Sequence, residues 1–210
     1  FVAGMIRPNR IGGRTVDDDA FEPLWATAEA LDVPITLHEA YLGGIETVGL
    51  ERVSSYAGAH VISHPFEQMA AMLGLSLAGV FARHPALRLG FFETGCSWAP
   101  YWSERIEEHY ELAPADFRGG DPAGVLSTRA WLTFEPTEAG LPATAGLGWA
   151  DQLCFASDFP HFDAVFPGAV AAVRGRDLGS ELERKLLGDN ALTFYGDRLR
   201  ARAERVEARR

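Results

Sequence analysis

Apolar positions along the chain change period several times. The run FVAGMI at 1–6 is strand-like, and a charged, glycine-bearing loop, RPNRIGGRTVDDD, follows it. Phe21, Leu24, Trp25 and Ala28 then recur at helical spacing, which predicts a helix over Phe21–Leu31. Asp19 is its expected N-cap, with Glu22 three residues later in capping-box position. Pro34 stops that helix, and PITLHEA predicts a second strand. A long Gly- and Ser-bearing stretch, Tyr41 to Ser63, reads as a loop that shapes the mouth of a site. From Pro65 a helix is expected, with Phe66, Met69, Ala70, Leu73, Leu77, Val80 and Phe81 three and four apart. LRLGFFETG is the third strand. Trp98, Trp102 and Ile106 mark another helix, AWLTFEP and QLCFASDFP a fourth and fifth strand, and ELERKLLGDNALTFYG the last helix.

Strands near 1–6, 34–38, 87–93, 130–135 and 153–157 alternate with helices, and each strand is apolar on both faces. That pattern belongs to a parallel α/β sheet. About five βα units are present where a closed (β/α)8 TIM barrel has eight, so the sequence reads as such a barrel with its first strands missing. One partial barrel domain is expected over 1–196. The Arg-rich segment 197–210 is expected as a solvated helical extension or tail.

Composition narrows the classes. Hydrophobic residues make up 47% and charged residues 23%, which is ordinary for a folded domain. Twenty-nine acids against 19 bases give a formal charge of −10, the wrong sign for a nucleic-acid footprint. No apolar run approaches the roughly 18–20 residues of a membrane span, and no secretory signal pattern is present. Cys96 and Cys154 cannot form a disulfide framework and read as buried thiols. A cytoplasmic location, a small-molecule partner and the option of a homo-oligomer follow as expectations.

Polar residues at the carboxyl ends of barrel strands are where this architecture places chemistry. The second strand ends in His38-Glu39, the third in Glu93, the fourth in Glu135, and the fifth in Ser157-Asp158-Phe159-Pro160-His161. Imidazole and carboxylates at one rim can hold a divalent cation. Each also has a plainer reading: His38 as a hydrogen-bonded structural histidine, Asp158 as a turn cap, Glu93 paired with Arg88 or Arg105. His64 either caps a helix or faces the rim. His60 and His84 read as loop residues, and His109 complements its helix dipole.

Together, LWATAEALDVPITLHEA, SHPFEQMAAMLGLSLAGVFARHPALRLGFFETGCSWAPYWSERIEE, LCFASDFPHFD and KLLGDNALTFYG resemble the amidohydrolase-related family, which contains aminocarboxymuconate semialdehyde and resorcylate decarboxylases. The resemblance runs from Phe1 to about Arg198. It implies a distorted TIM barrel with one catalytic ion, zinc or alternatively manganese. The family's mid-barrel His ligand matches His38 and its late-strand Asp matches Asp158. The first-strand HxH or ExH pair has no match. Where decarboxylases of the family commonly carry His, this chain has Glu93, which resembles the hydrolase branch. The implied reading is a metal-dependent hydrolase using metal-activated water on a small carboxylated or cyclic substrate. Asp158, Glu93 and His64 are its catalytic candidates, and His161 and Glu39 its substrate-binding candidates. The alternatives are non-oxidative decarboxylation or an inactive barrel fragment.

Overall fold

The computed structural model describes residues 1–39 and 44–207. Strand β1 (Gly4–Ile6) leads, through a 3-10 turn at Asp19–Phe21, to helix α1 (Glu22–Ala30) and then β2 (Ile35–His38). Helices α2 (Tyr56–Leu77) and α3 (Val80–Arg83) precede β3 (Leu89–Phe92), and α4 (Ala99–Leu112) and α5 (Leu126–Arg129) precede β4 (Ala130–Phe134). Helix α6 (Leu141–Thr144) precedes β5 (Leu153–Phe155). The chain ends in α7 (Ala169–Arg174), α8 (Ser180–Arg184), α9 (Asn190–Tyr195) and α10 (Asp197–Glu207). The five strands form one sheet in the order β1-β2-β3-β4-β5. Every pairing is parallel, as the doubly apolar strands require. Among the described residues β1 and β5 each have a neighbour on one side only.

The sheet's two faces differ. Ile35, Leu37, Leu89, Phe91, Leu132, Phe134 and Leu153 alternate onto one face and form the main core with Trp25, Met72, Leu75, Ile106 and Trp149 from the surrounding segments. Each such burial is worth about 1.5–3 kcal/mol. On the opposite face Trp131 and Cys154 meet Phe194 of α9, with Phe92 and Tyr195 beside them. Gly90 makes room there, since a Cβ would lie 2.7 Å from the Phe92 ring and 2.9 Å from Phe194.

Several boundaries differ from expectation. Helix α2 begins at Tyr56, nine residues before Pro65, because the Ser55 hydroxyl caps it by accepting from Gly58 N at 3.1 Å. Pro65 lies within it, and Val61, whose carbonyl loses its amide donor, is an exposed residue. The expected loop Tyr41–Ser63 is therefore helical over its last eight residues, and part of it lies outside the described residues. His60 stands on this helix. The cap before α1 is Asp18, which accepts from Ala20 N at 2.8 Å, and not Asp19. Glu22 reaches Arg83 and His84 instead of closing a capping box. His84 is buried between Glu22 and Glu29. The last expected helix is split into α8, a π-helical turn at Lys185–Asp189, and α9. Both cysteines are buried and free, and no described helix is long and apolar enough to cross a membrane.

Candidate metal centre

Because all five strands run parallel, their carboxyl ends open at one rim. His38 is the last residue of β2 and pairs in register with Phe92, so Glu93 emerges one step beyond. Glu93 has φ +69° and Asp158 φ +56°. Asp tolerates the left-handed region, whereas for Glu it costs on the order of 1 kcal/mol, so surrounding contacts must enforce it. They do. Glu93 N donates to the Thr133 hydroxyl at 2.8 Å. The following turn is pinned by Glu138, whose carboxylate accepts from Cys96 N at 3.0 Å and Ser97 N at 2.7 Å. Gly95 (φ +65°) is required there, because a Cβ would meet Glu138 Oε1 at 2.9 Å.

Two groups of side chains result. In the first, Glu93 Oε2 lies 2.9 Å from His38 Nδ1 and 3.7 Å from His64 Nε2. His38 Nδ1 is also 2.8 Å from its neighbour's carbonyl, Glu39 O. Glu93 raises the His38 pKa, partly opposed by burial. Burial lowers that of His64, whose Nδ1 contacts the Ser63 hydroxyl at 2.9 Å. In the second group, Asp158 Oδ2 lies 3.5 Å from His161 Nδ1, which also contacts Asp163. Donor atoms of Asp158, His161 and Asp163 all lie within 4.8 Å of one another, a spacing that fits one cation. Burial raises the Asp158 carboxyl, and the Asp163 contact raises His161. Burial also raises Glu135, with Asp158 adding to the effect.

The groups adjoin. Asp158 contributes to the electrostatics of His38 and His38 to those of Asp158, and the His60 ring lies 4.7 Å from His64 and 6.1 Å from His161. His38 is not among the three donors clustered around Asp158. Glu39, expected against substrate, is fully buried, so only its carbonyl supports the rim through His38. Asp163, Thr133 and Glu138 carry no reading from sequence, and His60, read there as a loop residue, stands on α2 beside His64. Asp163 alone had a local signal, two residues beyond His161 in SDFPHFD.

The donor chemistry fits a divalent cation. His38 Nδ1 has a single proton, which the Glu39 carbonyl accepts, while Glu93 Oε2 beside it makes no aligned hydrogen bond and acts through its charge; Nε2 is then the ring nitrogen open to a cation. Nitrogen from His38 and carboxylate oxygen from Asp158 suit zinc or manganese.

A parallel α/β sheet with imidazole and carboxylates at its carboxyl-end rim is an arrangement found in metal-dependent enzymes of the (β/α)-barrel type. The amidohydrolase family model matches residues 1–196, and the chain belongs to that family. It is similar to a 2-amino-3-carboxymuconate-6-semialdehyde decarboxylase of Dictyostelium discoideum, 24% identical over 193 residues, which cover 90% of this chain and 52% of that protein. Its fold matches an amidohydrolase from Mycobacterium avium subsp. paratuberculosis with a TM-score of 0.78 at 24% identity, covering 93% of this chain and 51% of the other. It also matches a 5-carboxyvanillate decarboxylase from Novosphingobium aromaticivorans, complexed with manganese and 4-hydroxy-3-methoxy-5-nitrobenzoic acid. There the TM-score is 0.71 at 18% identity, over 93% of this chain and 56% of that one. The chain thus spans about half the length of these relatives.

Proposed function

We propose that the chain carries part of the active site of a metal-dependent enzyme acting on a small carboxylated substrate, with non-oxidative decarboxylation as its reaction. The observation that carries this is His38, its Nδ1 bonded to Glu39 O beside the Glu93 carboxylate and its Nε2 open to a cation, on the same rim as Asp158. His38 and Asp158 would hold the ion. Two of the relatives are decarboxylases, and manganese in one of them makes it as good a choice as zinc here. When bound, the ion polarises a carboxylate or carbonyl oxygen and acidifies bound water.

The chain's own groups supply the rest. Glu93 fixes the His38 ring and is itself held by Thr133 and the backbone turn. In decarboxylation the C–C bond to the carboxylate breaks, CO2 departs, and the electron pair left on carbon takes a proton. Asp158, standing at the rim beside His161, would relay that proton from water rather than store it. His161 contacts Asp158 and orients it, or receives a substrate carboxylate. His64, kept neutral by burial, lies behind Glu93. A second reading, hydrolysis, is favoured by Glu93 itself: a carboxylate between two imidazoles can orient a water for attack.

Titration calorimetry with Zn²⁺ and Mn²⁺ tests the centre. The parent chain should bind, and His38→Ala and Asp158→Ala should each weaken binding at least ten-fold. Equal Zn²⁺ binding by the double variant overturns the assignment. CO2 release from hydroxybenzoic acids by the metal-loaded chain, set against cleavage of ester and amide panels, separates the two reactions.

A further inference from the structure

Tyr56, His60, His64 and Gln68 follow one another at intervals of four on α2, a stripe along one side of the helix. Its inner end enters the junction between β2 and β3. His64 lies against Glu93, and Gln68, one turn further on, is wholly buried. The side-chain Nε2 of Gln68 donates to two carbonyls, Leu37 O at 2.8 Å and Phe92 O at 3.1 Å. These belong to the peptides that lead into His38 and Glu93. Both partners are acceptors, so the amide has one orientation only, because turned over its oxygen would face two oxygens. In that orientation its own Oε1 is buried without a partner, a cost that the two donated bonds must offset. The contact falls where the sheet ends. Pairing of β3 with β4 stops at Phe91, and Glu93 N turns aside to the Thr133 hydroxyl. Beyond Phe91 the β4 ladder no longer holds the chain, and the Gln68 amide does.

We propose that Gln68 is a positioning residue for the metal centre: its amide clamps the peptides before His38 and Glu93 and so sets how imidazole and carboxylate stand to each other. The proposal rests on the metal-centre reading for what His38 does, and on the two hydrogen bonds for how His38 is held. A tilt of either peptide plane carries the following Cα and side chain with it. The 2.9 Å between His38 Nδ1 and Glu93 Oε2 leaves little room for such a tilt. Gln68→Met keeps the length and bulk of the side chain but donates nothing, so both peptides are freed at once. Met72, one turn further along α2 and equally buried, belongs to the main core and supplies the control.

Zn²⁺ titration calorimetry compares the parent with Gln68→Met and with Met72→Ala, a truncation in the main core. Gln68→Met should bind about ten-fold more weakly, the low end for groups that orient a ligand, and Met72→Ala within about two-fold of the parent. In a Glu93→Gln background the Gln68→Met loss should shrink to about two-fold, because the pair it aligns is already broken. Nitrogen NMR of the Zn²⁺-free chain at one fixed alkaline pH reads the His38 ring directly. The parent should show the proton on Nδ1, Gln68→Met a mixture of Nδ1 and Nε2 protonation, and Met72→Ala the parent pattern. Gln68→Asn, whose amide is one carbon short of both carbonyls, replaces Gln68→Met if that variant does not fold, with the same expectations. In a parent that binds Zn²⁺, unchanged affinity in the Gln68 variant, or a loss matched by Met72→Ala, overturns the clamp. So do unchanged His38 shifts. A parent that takes up no Zn²⁺, while the Gln68 variant alone moves the His38 signals, sinks the metal reading and leaves the clamp standing.

Discussion

Glu39 offers a perturbation whose size can be worked from the structure. Its side chain is fully buried, and neither carboxylate oxygen makes an aligned hydrogen bond. Its neighbours Glu67 and Glu93 are acidic, and the Oδ1 of Asn9 beside it is also buried and unpartnered. Burial pushes its carboxyl from the ordinary 4.5 up to about 7, with Glu67 and Glu93 adding to it and the Asn9 amide and Arg7 charge opposing it. Below about pH 4.5 folded and unfolded chains both hold the proton, and no penalty exists. Between 4.5 and 7 the unfolded chain releases a proton that the folded chain keeps, so stability falls as pH rises through that window; above 7 the loss is complete. At about 1.4 kcal/mol per pH unit the full loss is on the order of 3 kcal/mol. Glu39→Gln keeps the shape, removes the charge and supplies N–H donors to an acceptor-rich pocket. Urea unfolding of parent and variant from pH 4.5 to 8 should show near-equal stability at the acid end. At pH 8 the variant should be more stable by about 2–3 kcal/mol. A variant whose stability tracks the parent's at every pH would refute the account, because the buried carboxyl would then carry no linked proton.

Other expectations follow from contacts already described. Glu93→Gln removes the charge that raises His38, so the His38 imidazole should titrate at lower pH; histidine NMR showing an unmoved His38 would count against the pair. Glu138→Ala leaves the Cys96 and Ser97 amides without their acceptor and should cost about 1–3 kcal/mol, together with faster amide exchange across 95–97. Gly90→Ala drives a methyl into Phe92 and Phe194, and chemical denaturation should register a loss of about 1–3 kcal/mol; an unchanged midpoint would mean that α9 does not rest on the sheet as described.

The strands could be read from the sequence because each is a short apolar run closed by a polar residue, and in a parallel sheet buried on both faces that contrast survives without an alignment. LRLGFF followed by Glu93, and QLCF followed within three residues by Asp158, carry their own boundary marks. The start of α2 could not be read the same way. Pro65 resembles a helix start, and the true cap, Ser55, stands in the Gly- and Ser-bearing stretch GLERVSSYAGAH, whose apolar residues do not repeat clearly at helical spacing. That one shift hid the Tyr56–His60–His64 stripe, since residues four apart share a face only once they are known to be helical. Glu138 was invisible for another reason. Its partners, Cys96 and Ser97, are about 40 positions away, and only the pairing of β3 with β4 brings them together.

Adjacent residues can be assigned to one chemistry by sequence and separated by the fold, and His38-Glu39 is such a pair. Successive side chains at a strand end point to opposite faces. His38 faces the rim, where Glu93 raises its basicity and leaves Nε2 to coordinate. Glu39 turns into a closed polar pocket beside Glu67 and Asn9. The two remain coupled through the backbone, because the Glu39 carbonyl is the oxygen that accepts from His38 Nδ1. The neighbour therefore acts on the centre by a group that no substitution at position 39, proline included, removes. It follows that Glu39→Gln should alter stability against pH while leaving the His38 ring in place. Glu93→Gln should change the imidazole and ease the buried carboxyl only by the small Glu93 charge effect, leaving its desolvation in place.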